Sequence, residues 1–343
     1  MTSFLKDDRS SSVALWLFLT AFMVMAMVVV GGATRLTESG LSITEWNPIS
    51  GALPPLSQAD WSRAFDGYKK IPQFTELNPH MTLVEFRSIY WWEWSHRQLG
   101  RLVGVVYAVP LIYFLVRRMI PRRLIWRCVA MLFLGGLQGL VGWWMVYSGL
   151  SGRVSVAPER LMVHLSLALI LFSLLIWNGL EAQNGKGRVD VAGSFAWGGL
   201  GLTALIFIQA MLGALVAAND AGKIFTDWPL MAGQITPPHY WAGGLWQTLV
   251  HNPGSVQLHH RLMGYLIFIL MAVFMATAAG ARHIQPTVRT GAFVLGGLAM
   301  IQVALGITTL VMIAPLGLSI THQIVATLLL GTAVWFSWRA RRL

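Results

Sequence analysis

The chain has 343 residues, of which 55% are hydrophobic and only 11% are charged. Ordinary soluble domains carry about 25% charged residues, so this composition excludes a typical water-soluble protein and indicates an integral membrane protein. The net charge of +11 needs no nucleic-acid partner, because most of the cations fall in loops where they would face anionic lipid headgroups.

Eight apolar runs are long enough to cross roughly 30 Å of hydrocarbon. Because backbone groups in lipid must form hydrogen bonds internally, each run is predicted to be a helix. The first run is longer than the apolar part of a usual signal peptide, so we interpret it as a membrane span. The predicted spans are about 13–31, 98–116, 128–147, 162–179, 195–217, 262–280, 291–313 and 321–338.

The distribution of cations predicts how these spans are oriented. Loops on the side of both termini carry 14 basic and four acidic residues, whereas loops on the opposite side carry 11 basic and 10 acidic residues. Both termini are therefore predicted to be cytoplasmic. No arginine- and serine-rich presequence precedes the first span, which favours a bacterial chain in the inner membrane, with every even-numbered span beginning at the periplasmic side.

An internal repeat predicts that the spans form two related halves. Residues recur at a separation of 182 around the first span of each half and at 164 or 158 further along. Matching positions include Gly31 and Gly213, His96 and His260, Gln138 and Gln302, Gly142 and Gly306, and His164 and His322. Since each half has four spans, the copies share one orientation. The predicted fold class is an all-α membrane protein of two pseudo-symmetric four-helix bundles, residues 1–180 and 181–343.

Four histidines near the starts of the even-numbered spans are the candidate metal ligands: His96, His164, His260 and His322. Imidazoles on two facing helices can bind one haem iron from both sides, so four such helices predict two haem sites near the periplasmic face. A lone histidine near a helix end is more often a hydrogen-bonding residue, but four at equivalent positions favour ligation. Zinc is the main competing metal, although no HExxH motif or carboxylate-rich set accompanies these residues.

The repeat also decides between two adjacent histidines and reveals one difference between the halves. His260, followed by arginine, aligns with His96, so we prefer it to His259. Glu93 lies one helical turn before His96, whereas the second half has Gln257 at that position. A carboxylate can take up protons or stabilise positive charge, which glutamine cannot do. The first half is therefore predicted to react and the second to hold a permanent cofactor, unless Glu93 is only a solvated residue near the interface.

Arginines next to these histidines are candidate partners of the haem propionates. Arg97 and Arg261 directly follow a candidate ligand, and Arg101 lies one turn further on. Guanidinium groups bind carboxylates through paired hydrogen bonds. The alternative interpretation is that these side chains extend to water at the membrane surface without any ligand.

Several segments resemble the haem A synthase family in the form found in proteobacteria and mitochondria. These segments are TRLTESGLSITEW, EFRSIYWWEWSHRQLGRLVGVVYAVP, VHLSLAL, HHRLMGY and THQIVAT. The resemblance covers essentially the whole chain. It implies eight transmembrane helices in two bundles and oxidation of the C8 methyl group of haem O to a formyl group, which gives haem A for cytochrome oxidase. It also implies partners: the synthase that makes haem O and the assembly factors of cytochrome oxidase.

The resemblance further implies roles for individual residues. Glu93, His96 and His164 would form the substrate site in the N-terminal half, and His260 and His322 would ligate a haem b in the C-terminal half. The implied chemistry is successive hydroxylation of one methyl group to an aldehyde hydrate that loses water, with the haem b relaying electrons. Some members carry a cysteine pair in the first outer loop, whereas this chain has only Cys128, which excludes an intramolecular disulfide.

Two other classes of protein are compatible with parts of this pattern. A dihaem electron-transfer protein of the quinol-oxidising b type would use the same four histidines and leave its haem unchanged. A transporter built from parallel repeats would place its polar residues nearer the middle of the membrane.

Glycine-rich helix faces would also permit the formation of a homo-oligomer.

Overall fold

The computed structural model describes residues 9–185, 193–281 and 284–341, and these residues are almost entirely helices and turns. Within these ranges the one strand-like pairing is an isolated bridge between Met231 and Gln234. Eight helices are long and apolar enough to cross a membrane, which confirms the predicted fold class. Some loop charges that predict the orientation lie outside the described ranges: Lys6, Asp7, Asp8, Lys186, Arg188, Asp190, Arg282 and Arg342.

The eight long helices are labelled α1 to α8 in chain order. They are α1 Ser11–Leu36, α2 Leu83–Val116, α3 Ile125–Tyr147, α4 Pro158–Asn184, α5 Ser194–Ala218, α6 Pro253–Gly280, α7 Pro286–Val311 and α8 Leu316–Ala340. Proline occupies the first position of α4, α6 and α7, where its missing N–H costs no helical hydrogen bond. Most helices extend beyond the predicted apolar runs, because their first and last turns contain polar residues that hydropathy does not assign to a membrane span.

The largest difference from the predicted spans is at the start of α2. The apolar run begins at about residue 98, but Thr82 and Glu85 form a capping box in which each side chain accepts a hydrogen bond from the other's amide. The helix therefore begins at Leu83, and His96 lies about 20 Å inside it and not near its start. The other three candidate ligands lie about two turns inside α4, α6 and α8.

The end of α7 also differs from the prediction. The apolar run continues to residue 313, but the helix ends at Val311. Ile313 and Ala314 have φ angles of 62° and 51°. A right-handed helix requires negative φ angles, so it cannot continue through these two residues.

The helices pack in the same order in both halves of the chain. In the first half α1 contacts α2 and α4, and α3 contacts the same two helices; in the second half α5 contacts α6 and α8, and α7 contacts the same two. This pairing is consistent with two four-helix bundles. The bundles meet where α4 contacts α5 and α8 and where α1 contacts α8. Helix α4 continues to Asn184, past the predicted division at residue 180.

Apolar side chains fill one end of each bundle and leave the other end open. In the first half Leu17, Leu111 and Leu175 belong to a buried cluster, and in the second half Leu295 and Leu330 belong to another. These residues lie along the helices on the far side of the candidate histidines. Close packing of these ends fixes the helices, so that a cavity can exist at the histidine end without loss of the fold.

The long loop between α1 and α2 forms a small cap with its own core. Its helix Gln58–Tyr68 begins with a capping box at Ser57 and packs against the extended first part of α2. Tyr68 and Phe86 are completely buried between these elements. The expectation that packing and hydrogen bonds hold this loop without a disulfide is therefore consistent with the structure.

An ion pair joins the end of α1 to the second half of the chain. Arg35 Nη2 lies 2.8 Å from Oδ2 of Asp220, and Lys223 Nζ lies 3.0 Å from the other oxygen. Partial burial alone would raise the pKa of Asp220, but the attraction and hydrogen bonds of Arg35 and Lys223 outweigh it and hold the pKa below its ordinary value. The pair therefore stabilises the contact between the two halves while Asp220 is ionised.

The substitution Asp220→Asn is expected to lower the thermal stability of the detergent-solubilised protein at pH 7, by about 1 kcal/mol or less because the ion pair is partly exposed. A carboxyl group with a depressed folded pKa stabilises the fold above its unfolded pKa of about 4, and that stabilisation is lost as the pH falls through the folded pKa. The difference between variant and wild type should thus shrink as the pH falls below about 4 and disappear once the pH lies below the folded pKa. Melting curves across this range measure it.

The matched control for this experiment is Asp66→Asn. Asp66 pairs with Lys69, only three residues away, so it joins no separate parts of the fold and its loss should leave the melting temperature unchanged. Equal melting temperatures of the wild type and Asp220→Asn at pH 7 would contradict the prediction.

Candidate functional site

A continuous cavity of about 1450 Å³ lies among the helices of both halves. Ordinary small-molecule pockets have volumes of about 300–1,000 Å³, so this cavity has room for more than one ligand of that size. Its walls are mostly apolar side chains and glycines. All of the sequence-predicted site residues contribute to the wall: Glu93, His96, Arg97, His164, His260, Arg261 and His322.

Each of the four histidine rings packs against a glycine of the preceding long helix. The ring atoms nearest to the glycine are Cε1 and Nδ1, so this edge of the ring faces the neighbouring helix. A β-carbon added to the glycine would lie close to Cε1 of the ring in all four pairs. The distances are 2.8 Å for Gly31–His96, 2.9 Å for Gly142–His164, 3.2 Å for Gly213–His260 and 3.0 Å for Gly306–His322. A side chain at any of these glycines would therefore displace the ring, which explains why the repeat has glycine at each position.

The structure brings the histidines together in the two predicted pairs. His96 on α2 and His164 on α4 line the cavity in the first half, and His260 on α6 and His322 on α8 line it in the second. Nδ1 is buried without a hydrogen-bond partner in His96, His260 and His322. Buried polar atoms usually have partners, so these rings are held in an arrangement that the protein alone leaves incomplete.

Three glutamines contact the candidate ligands, each from the helix before the histidine. The amide nitrogen of Gln138 lies 3.2 Å from Nδ1 of His164. That of Gln209 lies 3.4 Å from Nε2 of His260, and that of Gln302 lies 3.2 Å from Nε2 of His322. Gln138 and Gln209 also donate to the backbone carbonyl of the same histidine, at 3.0 Å in both cases. Sequence reasoning missed Gln209, although the separation of 182 relates it to Met27 near His96.

Glu93 is a buried residue, and only 2% of its surface is exposed. Its Oε1 accepts hydrogen bonds from Arg97 Nη2 at 2.6 Å and Nε at 3.1 Å, and its Oε2 accepts from Ser42 Oγ and the Ile43 amide, both at 2.8 Å. The interpretation of Glu93 as a solvated interfacial residue is therefore wrong. The carboxylate lines the cavity and is held on both oxygens.

Arg97 and Arg261 hold equivalent loops in the two halves. Arg97 donates to the carbonyl oxygens of Ile43 at 2.8 Å and Glu45 at 2.9 Å. Arg261 donates to those of Phe225 and Asp227, both at 3.0 Å, and these residues lie 182 positions after Ile43 and Glu45. Arg261 is buried, so the alternative of a side chain that extends to water is wrong for this residue.

Gln257 takes part in the same arrangement as Glu93 but with its hydrogen bonds reversed. Its amide nitrogen donates to the carbonyl oxygens of Ala221 at 3.0 Å and Phe225 at 2.9 Å, whereas Glu93 accepts from its loop. The two halves therefore fix equivalent loops, one with a charged acceptor and one with a neutral donor.

Two further residues near the cavity were not among the predicted site residues. His259, the rejected alternative to His260, makes a 2.7 Å hydrogen bond to the hydroxyl group of Tyr240 in the preceding loop. Arg35 lines the cavity and has a buried Nε without a hydrogen-bond partner. Sequence reasoning did not single out Arg35, although it lies in the segment TRLTESGLSITEW, because its repeat equivalent is Ala217.

The fold and this cavity define a multi-pass helical membrane protein in which two pairs of half-buried histidines line one cavity. Over residues 14–334 the chain matches the COX15-CtaA family, described as cytochrome oxidase assembly protein. The chain belongs to this family, which confirms the resemblance found in its sequence. It is 57% identical to the haem A synthase of Caulobacter sp. (strain K31) and 56% identical to that of Caulobacter vibrioides, in both cases over 100% of each chain. The haem A synthase of Maricaulis maris is 45% identical over 98% of each chain.

Proposed function

We propose that this protein is a haem A synthase, which oxidises the C8 methyl group of haem O to a formyl group and so makes haem A for cytochrome oxidase. The observation that carries the proposal is the placement of four histidines, one from each even-numbered helix, on the wall of one cavity. Full-length similarity to proteins named haem A synthase supports it independently.

The residues at the cavity fit a porphyrin that is bound through its iron. Each histidine pair offers two neutral nitrogen ligands and no carboxylate ligand, which suits axial ligation of haem better than a tetrahedral zinc site. Within the described ranges, no group of three or more histidine, cysteine, aspartate or glutamate side chains could hold a metal ion. The glycines beneath the rings keep the helices close while leaving space for a flat ligand.

We assign the two pairs to two different haems. His96 and His164 would hold haem O, the substrate, and His260 and His322 would hold a resident haem b. When bound, haem b supplies a redox centre that accepts electrons from the substrate side. The cavity is continuous between the two pairs, so no wall of side chains would separate the two ligands.

Glu93 is the proposed catalytic residue of the substrate half. It would act at the reacting methyl group as a base or as the charge that stabilises a positive centre. Ser42 supports a role in proton uptake, because a hydroxyl group can donate or accept and its hydrogen bond to Glu93 can reverse when the carboxylate is protonated. Arg97 would keep the carboxylate oriented in both states.

Arg97 and Arg261 remain the proposed partners of the haem propionates. Both line the cavity, and Nε of Arg261 is buried without a hydrogen-bond partner. A propionate at this position would complete the hydrogen bonds of the guanidinium group. The loop carbonyls that these arginines already bind would hold the two guanidinium groups in place for this contact.

The proposed setting is the inner membrane of a bacterium, with both termini in the cytoplasm and the haem sites toward the periplasm. Residues 1–180 and 181–343 would form the substrate bundle and the haem b bundle. The proposed partners are haem O synthase, assembly factors of cytochrome oxidase and membrane lipid. The glycine-rich helices would also permit a homo-oligomer.

Conversion of haem O to haem A tests the proposed function directly. The chain is expressed in cells that contain a haem O source but lack their own haem A synthase, and the extracted haems are separated by chromatography. We expect a new haem A peak that is absent from cells without the chain. Recovery of only haem B and haem O would overturn the proposal and favour a dihaem electron-transfer protein.

A further inference from the structure

The four candidate ligands differ in one neighbour, and this difference separates the two halves. His164, His260 and His322 each contact a glutamine, but the residue that corresponds to Gln209 in the first half is Met27. Both side chains occupy the same place in their bundles. A β-carbon added to Gly100 would lie 3.3 Å from Cε of Met27. A β-carbon added to the equivalent Gly264 would lie 3.4 Å from Nε2 of Gln209.

The three glutamines carry hydrogen-bonding capacity that the protein does not use. Their Oε1 atoms are buried and have no partner: Gln138, Gln209 and Gln302. Nδ1 of His260 and of His322 is also buried and unpartnered. Unpaired acceptors next to unpaired ring nitrogens are unusual in a folded interior. The arrangement therefore points to a state in which each ring has a different orientation or partner from the one seen here.

A histidine that binds a metal through Nε2 supplies that state. It keeps its proton on Nδ1, and a hydrogen-bond acceptor for this proton orients the ring and raises the basicity of the ligand. The Gln138 amide nitrogen lies 3.2 Å from Nδ1 of His164, so turning the amide by half a rotation would place its oxygen there as the acceptor, in exchange for the hydrogen bond to the His164 carbonyl. Gln209 and Gln302 contact Nε2 of their histidines, so at these two positions the ring must also reorient before Nδ1 meets the amide oxygen. A methionine at the same place offers only a flexible side chain and a weakly accepting sulfur.

We propose that Gln138, Gln209 and Gln302 are positioning residues that hold their histidines as ligands, and that Met27 leaves His96 without this support, so that the first site releases its porphyrin more readily. This inference rests on the proposed function. The C-terminal pair has support on both histidines, as a resident cofactor requires. The N-terminal pair has support only on His164, which suits a substrate that must enter and a product that must leave.

Reciprocal exchange of the two side chains tests this inference. The purified full-length protein in detergent is mixed with excess apomyoglobin, and the transfer of its bound haem is followed by absorbance. We expect Gln209→Met to speed release from the C-terminal site, and Met27→Gln to slow release from the N-terminal site, each by about 10- to 100-fold, as for other partners of metal-binding histidines. Gln209→Glu keeps an acceptor and should restore slow release.

Spectroscopy separates positioning from a general loss of structure. Loss of the acceptor beside His260 should shift the low-spin electron paramagnetic resonance signal of the C-terminal haem and raise its midpoint potential. The matched control is Gln58→Met, because Gln58 begins the helix of the cap and accepts a hydrogen bond from Arg87, away from the residues that line the cavity. This control should leave both the release rates and the spectrum unchanged.

The possible results distinguish this inference from the proposed function. If the wild type binds haem but the exchanges at 27 and 209 change neither the release rates nor the spectrum, the inference is overturned and the proposed function is untouched. If the wild type contains no haem and takes up none, the proposed function and the inference both fall. Should Gln209→Met fail to fold, Met27→Gln still decides the question, because it adds an acceptor and removes none.

Discussion

Glu93→Gln is expected to keep the fold and the bound porphyrin but to lower the rate of haem A formation by about 10²- to 10⁴-fold, the usual contribution of a positioned acid or base. The second half of the chain provides the precedent for the retained fold. Gln257 occupies the equivalent position and fixes its loop through two hydrogen bonds to carbonyl oxygens. The glutamine variant therefore removes the charge and the proton acceptor, while a side chain of the same size remains.

Glu93→Ala is the matched comparison, because it removes the loop contacts as well as the charge. Like the glutamine variant it leaves the half-buried Arg97 without its counter-ion, and it also leaves Ser42 and the Ile43 amide without their acceptor. Each buried donor that loses its acceptor costs about 1–3 kcal/mol. We expect this variant to show a lower melting temperature and faster proteolysis of the loop between α1 and α2, whereas Glu93→Gln should show much smaller changes.

Measurement of haem A per bound haem separates the two possible roles of Glu93. Extracted haems are quantified by chromatography after the same expression time for each variant. A normal haem A yield from Glu93→Gln would contradict the catalytic assignment and leave Glu93 as an anchor of the loop. Loss of product with full haem content and an unchanged melting temperature would support catalysis.

Much of the site could be predicted because the duplication leaves matching residues at constant separations in the sequence. The constant separations identify His96 with His260 and Gly31 with Gly213 without any knowledge of contacts. What they cannot reveal is that Gly31 lies against the ring of His96, because that contact depends on the rotation of α1 relative to α2. The glycines were therefore recognisable as repeat positions but not as the surfaces on which the rings pack.

Glu93 shows a second limit of sequence reasoning. Its spacing from His96 predicts a shared helix face, but its burial depends on the cap that folds over it. The early start of α2 has the same origin, because a capping box and the cap's aromatic core stabilise a polar segment that hydropathy assigns to a loop. Contacts between distant segments decide both features, and no local pattern encodes them.

The difference between Met27 and Gln209 could be read from the sequence, but its importance could not. The separation of 182 makes the two positions equivalent in the sequence alone. Their importance emerges only when the structure places Gln209 within 3.4 Å of the His260 ring. A departure from the repeat therefore becomes informative once the neighbours of the residue are known.

His260→Ala is expected to abolish haem binding in the C-terminal half and, with it, almost all haem A formation. The substitution removes one of the two axial ligands and leaves His322 facing an enlarged apolar cavity, so the protein loses its second bond to the iron and the contacts of the His260 ring. Haem content per protein should fall to about half of the wild-type value if both sites are filled in the wild type. The pyridine haemochrome assay measures this directly.

The neighbouring residue gives the sharpest control, since His259→Ala changes the same residue type one position away. His259 bonds to Tyr240 in the loop, while His260 packs on Gly213 and lines the cavity. We therefore expect His259→Ala to keep full haem content and activity, with at most a modest loss of stability. If His259→Ala lost the C-terminal haem and His260→Ala kept it, the axial ligand would be the wrong member of the pair. The alignment of the two halves by their His-Arg motifs would then fail, because that alignment is what selects His260.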